Sequence, residues 1–247
     1  MSSSFFNQTS SVVFSWNFAE GAAGWQGGFA DYPSGEETFY ELNFSLRPLP
    51  SPLVNNQALW ITGNNHSDDL FMYFRNQVSG LTPSTTYQVT FNVELASDAP
   101  DGSIGIGGSP ANSVYLKAGA TTTEPIAMLA PSSNFLLLNV DKGNQAQGGR
   151  DAVVLGDVAK PDDGKFDYAL IERSNVGGLF TFRTDNTGSA WLYFGTDSGY
   201  EGTTSVYYTN FTAQLAVVPE PLTLAGVCTA VSLGVWFKRL RSQKALK

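Results

Sequence analysis

Between Thr86 and Leu95 the chain alternates without a break: Tyr87, Val89, Phe91, Val93 and Leu95 are apolar, and Gln88, Thr90, Asn92 and Glu94 between them are polar. Period two over a run of this length predicts a strand with one face in a core and the other in water. Aromatic and β-branched runs between glycine, proline and asparagine clusters extend the pattern along the chain. They predict strands over Ser11 to Phe18, Thr38 to Ser45, Ala58 to Thr62, Leu70 to Val78, Val114 to Lys117, Phe135 to Val140, Ala152 to Val158, Phe166 to Glu172, Leu179 to Thr184, Ala190 to Thr196 and Thr204 to Val217. Gly27 to Pro33 reads as a loop, Leu46 to Pro52 with its three prolines as a connector or edge, and Asp141 to Arg150 as a polar loop. Nothing before Pro221 has helical periodicity, so crossover helices for a parallel sheet are missing. The expectation is an all-β, antiparallel, jelly-roll-type β-sandwich over residues 11–217. An immunoglobulin-like sandwich is disfavoured because the strands exceed seven and the length is about double the ~100 residues of that fold.

The last thirty residues break the pattern. Leu222 to Phe237 carries no charge, and the ten residues after it hold five basic groups and no acid. Sixteen apolar residues fall short of the roughly 20 that span a bilayer. Pro221 suits the first turn of a helix, and Lys238, Arg239 and Arg241 can extend their charged ends to the headgroups. One C-terminal transmembrane helix over 221–237 is predicted, its basic end in the cytoplasm and everything before Val218 outside. Pro219-Glu220-Pro221, the short apolar helix with small residues and the basic terminus together resemble the PEP-CTERM sorting signal of exported bacterial proteins. The resemblance covers 218–247. It implies an exosortase-type processing protease and the membrane as partners, and display on the envelope or in the extracellular matrix of a Gram-negative bacterium. Residues 1–10 are expected to be a disordered segment: they contain neither the basic region nor the apolar stretch of a signal peptide, so the export signal is expected upstream of the recorded start.

Composition narrows the chemistry. The chain of 247 residues has a net charge of −8, and only 15% of residues are charged against a usual ~25%. Outside the basic tail no Lys/Arg cluster exists to displace counterions, which argues against nucleic acid as a partner. One cysteine, Cys228, and one histidine, His66, exclude a disulfide, a cysteine-rich zinc site and a His-rich metal cluster. No cofactor is expected beyond a structural calcium ion at Asp68 and Asp69, hard oxygen donors although they do not form an EF-hand loop.

Val13-Phe-Ser-Trp-Asn-Phe18 with Gly24-Trp25, the Gly80-Leu-Thr-Pro83 turn leading into Tyr87, Val89 and Phe91, and Val206-Tyr-Tyr-Thr-Asn210 resemble galactose-binding-like jelly rolls that occur as carbohydrate-binding modules. That resemblance implies polysaccharide as a partner. Sugars are held by planar polar side chains beside an aromatic face. The loop with Asn64, His66, Asp68 and Asp69, joined by Asp31 and Tyr32, supplies the polar groups. Trp25, flanked by glycines, is expected to be the exposed tryptophan, whereas Trp16, Trp60 and Trp191 belong to apolar strands. The reading is a non-enzymatic surface or matrix protein that binds carbohydrate. A glycan hydrolase with a carboxylate pair, and a structural surface protein without a glycan ligand, are the alternatives.

Overall fold

The computed structural model describes residues 10–54 and 56–219. Glu220 and Pro221 of the sorting motif, the helix expected over 221–237, and Lys238, Arg239 and Arg241 lie outside the described residues, as do residues 1–9. Among the described residues no helix is long and apolar enough to cross a membrane.

Among the described residues fifteen strands follow one another: β1 (Ser11–Asn17), β2 (Gln26–Ala30), β3 (Tyr32–Pro33), β4 (Asn43–Pro48), β5 (Gln57–Asn64), β6 (Leu70–Val78), β7 (Thr86–Ser97), β8 (Val114–Thr121), β9 (Ala127–Leu129), β10 (Phe135–Leu138), β11 (Ala152–Asp157), β12 (Ala169–Ser174), β13 (Thr181–Arg183), β14 (Ala190–Ser198) and β15 (Thr203–Val217). They form two large antiparallel sheets. One runs β12-β7-β15-β5-β4, with β1 also on β15 and β13 also on β7; the other runs β11-β8-β14-β6-β2. The pairings β5/β15, β6/β14, β7/β12 and β8/β11 nest inside one another, and β7/β15 with β8/β14 close the two sheets. A long hairpin folded over itself in this way is the wiring of a jelly roll.

The alternation along β7 is borne out residue by residue. Tyr87, Val89, Phe91, Val93 and Leu95 are buried, and the polar residues between them are partly exposed. They meet Phe194, Phe211, Tyr208, Phe74 and Phe18 in a core between the sheets. Burial of apolar area at about 25 cal/mol per Å² makes this the main stabilising contribution.

Several predicted bounds differ: the strands expected from Phe166 and Leu179 begin at Ala169 and Thr181, and Tyr32–Pro33 of the expected loop is β3. Thr38 to Leu42 is a turn, in which the Tyr40 N–H donates to Glu36 O at 2.9 Å and the Leu42 N–H to Glu37 O at 3.0 Å; the strand begins only at Asn43. Gly27 and Gly28, read as loop, lie in β2. A Cβ on Gly27 would run into the Phe44 ring, and one on Gly28 would stand 2.6 Å from the Tyr73 ring. The glycines are there because aromatic rings lie flat on that strand.

A small sheet, β3-β10-β9, covers the outer face of the β6–β14–β8 region. It encloses a second core of Ala30, Phe71, Tyr73, Val140, Ala152 and Tyr193. On the outer face of the other large sheet, among the described residues, Leu49 and Leu53 of the loop after β4 pack against Ala58, Ala96, Tyr168 and Tyr207, and no second sheet lies over it.

Candidate functional site

The site expected around Asn64 to Asp69 divides in two. Asn64 ends β5, and its N–H donates to Tyr40 O at 2.7 Å. Asn65 is buried and its amide donates to Ser198 O and Tyr200 O, which fastens the loop. His66 is exposed and stacks on the exposed Phe39 ring, with centroids 4.1 Å apart. Asp68 is exposed, at φ 58°, and its carbonyl accepts from the Gln145 side chain. Asp31, Tyr32 and Asp69 turn the other way. The Tyr32 hydroxyl donates to Glu37, and burial with that neighbouring carboxylate pushes its pKa up to about 12.

Trp25 is the clear correction. It is 5% exposed; it packs edge-on against Trp16 and Phe211, with ring centroids 5.1 Å apart, and tilted against Phe194 at 4.8 Å. The glycine-rich turn before it carries the ring into the core instead of displaying it. Trp60 is buried, while Trp16 and Trp191 are half-buried.

Asp31 and Asp69 instead join a charged cluster beneath the small sheet. Along β8, Tyr115, Lys117 and Gly119 face outward from the sandwich, and along β14 Tyr193, Gly195 and Asp197 do the same; Lys117 pairs with Gly195. Lys117 and Asp197 are therefore diagonal neighbours on a face that the small sheet and the 141–150 loop seal. Lys117 Nζ donates to Asp197 Oδ2 at 2.7 Å, both side chains being 0% exposed. It also donates to the carbonyls of Lys142 and Gln147. Lys142 Nζ lies 2.9 Å from Asp197 Oδ2, 2.9 Å from Asp31 Oδ2 and 3.9 Å from Asp69 Oδ1. The Gln145 N–H donates to Asp197 Oδ2 at 2.9 Å.

The environment separates these groups. Burial works against the Asp197 carboxylate, but Lys142 and Lys117 outweigh it and hold it below its usual range. Burial likewise opposes the Lys142 charge, and Asp197, Asp31 and Asp69 outweigh it, so this ammonium is held more firmly than usual. Lys117 is lowered by burial. Asp69 rises to about 7, first through burial and then through Asp197 and Asp31, against the pull of Lys142. Asp31 is raised by burial.

Oxygens of Asp31, Asp69 and Asp197 lie within 4.8 Å of one another, and Asp68 is outside the group. Calcium takes 6–8 oxygens. Here an ammonium stands at 2.9 Å from two of the three carboxylates, so the donors fit a calcium ion poorly while Lys142 is in place. A pocket of about 220 Å³ opens beside the cluster, with Asp69, Asp31 and Lys142 on one wall and Leu137 and Asn144 on another.

The outer face of the β7–β15 sheet, partly covered by the loop after β4, holds the polar positions of the strand alternation. Register places Glu172, Glu94, Asn210 and Asn17 in one row across four strands, and Ser174, Asn92, Thr212 and Ser15 in the next. A third row runs Ala96, Tyr207, Trp60 and Ser45. Glu94 accepts from Thr209 Oγ1 and from Asn210 Nδ2 at 2.6 Å, Glu172 accepts from Asn92, and the Arg47 guanidinium lies 3.4 Å over the Trp60 ring. Like charges directly opposite on neighbouring strands are unfavourable, yet Glu94 and Glu172 are opposite. The loop after β4 folds over this face, and between them lies a pocket of about 130 Å³ lined by Asn17, Asn56, Gln57, Glu94, Thr209 and Asn210 with Leu49, Leu53 and Leu170. Its sequence signal was the polar half of the β7 alternation together with Thr209, Asn210 and Asn17.

No family model matches the chain, and no curated protein is similar to it. Among solved structures, the enzymatically active domain of tailspike protein 4 from bacteriophage CBA120 is 9% identical with a TM-score of 0.34, over 81% of this chain and 20% of its own. The chain thus spans a fifth of that protein's length. TmCBM61 in complex with β-1,4-galactotriose is 10% identical with a TM-score of 0.34, over 80% and 92% of the two chains. The mannan-recognising module TmCBM27 is 13% identical with a TM-score of 0.34, over 83% and 98%. At these identities and scores nothing about ligand or activity passes to this chain.

Proposed function

We propose that this chain is an exported, non-enzymatic surface or matrix protein whose β-sandwich binds polysaccharide in the pocket between the outer face of the β7–β15 sheet and the loop after β4. The observation that carries the reading is the pocket there, in which amide, hydroxyl and carboxylate groups from β1, β5, β7 and β15 converge beside leucines. Planar amides and carboxylates match the spacing of vicinal hydroxyls, and apolar side chains cover the C–H faces of a sugar ring. A surface this poor in charge and rich in Asn, Gln, Thr and Ser offers many neutral hydrogen bonds, each worth about 1 kcal/mol net. Binding of a repeating polymer through such a face depends on several weak contacts in parallel.

Export, processing by an exosortase-type protease and a stay in the membrane rest on the tail from Val218 to Lys247 and on its likeness to a sorting signal. Affinity electrophoresis through gels containing neutral and acidic polysaccharides tests the binding reading. Retardation in at least one glycan, lost in Gln57→Ala/Asn210→Ala, supports it; free migration in all of them overturns it. The hydrolase reading is favoured by one observation, the facing Glu94 and Glu172, since glycosidases use paired carboxylates. Release of reducing ends by wild type, abolished in both Glu94→Gln and Glu172→Gln, would replace binding with hydrolysis.

A further inference from the structure

We infer that the buried Lys117 and Asp197 side chains are placed to condense into an intramolecular isopeptide bond, with Asp69 as the proton-relaying acid. Lys117 Nζ is 2.7 Å from Asp197 Oδ2, so Asp197 Cγ lies no more than one carbon–oxygen bond length beyond that. Both side chains are fully buried on adjacent strands, and bulk water does not compete for the carboxyl carbon. Asp197 Oδ2 accepts from the Lys142 ammonium and from the Gln145 N–H, each at 2.9 Å. Those two donors suit an oxyanion forming on Oδ2. Asp197 Oδ1 is buried and has no hydrogen-bond partner, and neither does Asp69 Oδ1. An oxygen of Asp69 lies within 4.8 Å of one of Asp197. Oδ1 is therefore the oxygen free to be protonated and to leave.

The step balances. A proton passes from the Lys117 ammonium to the Asp197 carboxylate, and the neutral Nζ attacks Cγ. Asp69 takes a proton from Nζ and returns one to Oδ1; the Cγ–Oδ1 bond breaks and water leaves. Ammonium plus carboxylate become amide plus water, with no oxidant or external reagent, and Asp69 ends as it began. Lys117 supplies the amine because burial weakens its hold on the proton, whereas three carboxylates hold Lys142 charged. The product removes an ion pair from a site where desolvation opposes charge. Its single N–H keeps one of the Lys142 and Gln147 carbonyls as acceptor, and its oxygen retains Lys142 Nζ and the Gln145 N–H as donors. The bond would join residues 80 apart in sequence and restrict the unfolded chain as a disulfide does, in a chain whose single cysteine cannot form one internally.

The test is the intact mass of the purified full chain under denaturing conditions, followed by tryptic peptide sequencing. The expected result is a mass lower by one water, no cleavage after Lys117, and a branched peptide joining the Lys117 and Asp197 segments. Lys117→Met and Asp197→Ala should restore full mass. Asp69→Asn, checked for folding by circular dichroism, should leave the chain predominantly unlinked. Full mass with ordinary cleavage after Lys117 in wild type would overturn the inference whatever the variants do. A water loss mapped to any other site would overturn it as well, and complete linkage in folded Asp69→Asn would overturn the role of Asp69.

Discussion

Replacing Lys142 by methionine keeps the length of the side chain and removes its charge. In the folded protein that charge lies 2.9 Å from Asp31 and from Asp197, with Asp69 at 3.9 Å, and the lysine is 6% exposed. Removing one partner of a buried ion pair costs about 3–5 kcal/mol, because the remaining charges are left without compensation. For a domain of this size each kcal/mol moves the melting temperature by about 2–4 °C, so Lys142→Met should melt roughly 6–20 °C below wild type near pH 8. The pH dependence fixes the cause. Asp31 and Asp69 already have folded pKa values above the ordinary carboxylate range, Asp69 at about 7, and without the ammonium both rise further. Where the folded state binds more protons than the unfolded chain, stability falls as pH rises. The deficit of Lys142→Met should therefore be largest near pH 8 and shrink towards pH 5, where the orphaned acids are protonated. Thermal melts across that range measure it, with the intact mass of each sample taken alongside so that loss of a covalent link is not counted as loss of the ion pair. Equal stability near pH 8, or a deficit that grows on acidification, would refute the reasoning.

Trp25→Ala should destabilise the domain by about 3–5 kcal/mol in urea unfolding, as removal of a large core aromatic does; an effect below ~1 kcal/mol would mean that the ring is not in the core. Gly28→Val, whose added side chain would run into the Tyr73 ring, should cost about 1–3 kcal/mol as an overpacked site, read from the same unfolding curves. His66→Ala/Asp68→Ala, on the exposed loop beside Phe39, should leave glycan retardation unchanged. Gln57→Ala/Asn210→Ala should weaken glycan binding by about 1–3 kcal/mol, or roughly 5- to 150-fold, while shifting the melting temperature only slightly.

Strands dominated by alternation or by β-branched and aromatic residues were legible. Leu70–Val78 has the predicted bounds, and β7 and β15 differ by only a residue or two at their ends. What alternation cannot show is which outer face another layer will cover. Lys117 in Val114-Tyr-Leu-Lys117 read as the end of a strand, but β8 runs on to Thr121 and the lysine is buried under the small sheet. Asp197 fell just past the predicted strand, and Lys142 in a loop that looked fully solvated. Residues far apart in sequence meet there only because β8 pairs with β14. Trp25 misled because glycine neighbours signal a turn without saying which way the next side chain points. Asn64, His66, Asp68 and Asp69 form one short segment, yet past the left-handed backbone at Asp68 the half-buried Asp69 turns towards Lys142 while His66 and Asp68 stay exposed. The amide rows were present as letters, in Asn92, Glu94, Asn210 and Asn17, and became a surface only through cross-strand register.

The measurement that bears most directly on polysaccharide binding is amide chemical-shift mapping of the isotopically labelled chain, titrated with an oligosaccharide cut from a glycan that retards it. The account predicts saturable shifts at Asn17, Gln57, Glu94, Leu170, Thr209 and Asn210, with the Asn64 to Asp69 loop unmoved. Shifts confined to that loop or to the pocket beside Asp69, or none at saturating sugar, would contradict it.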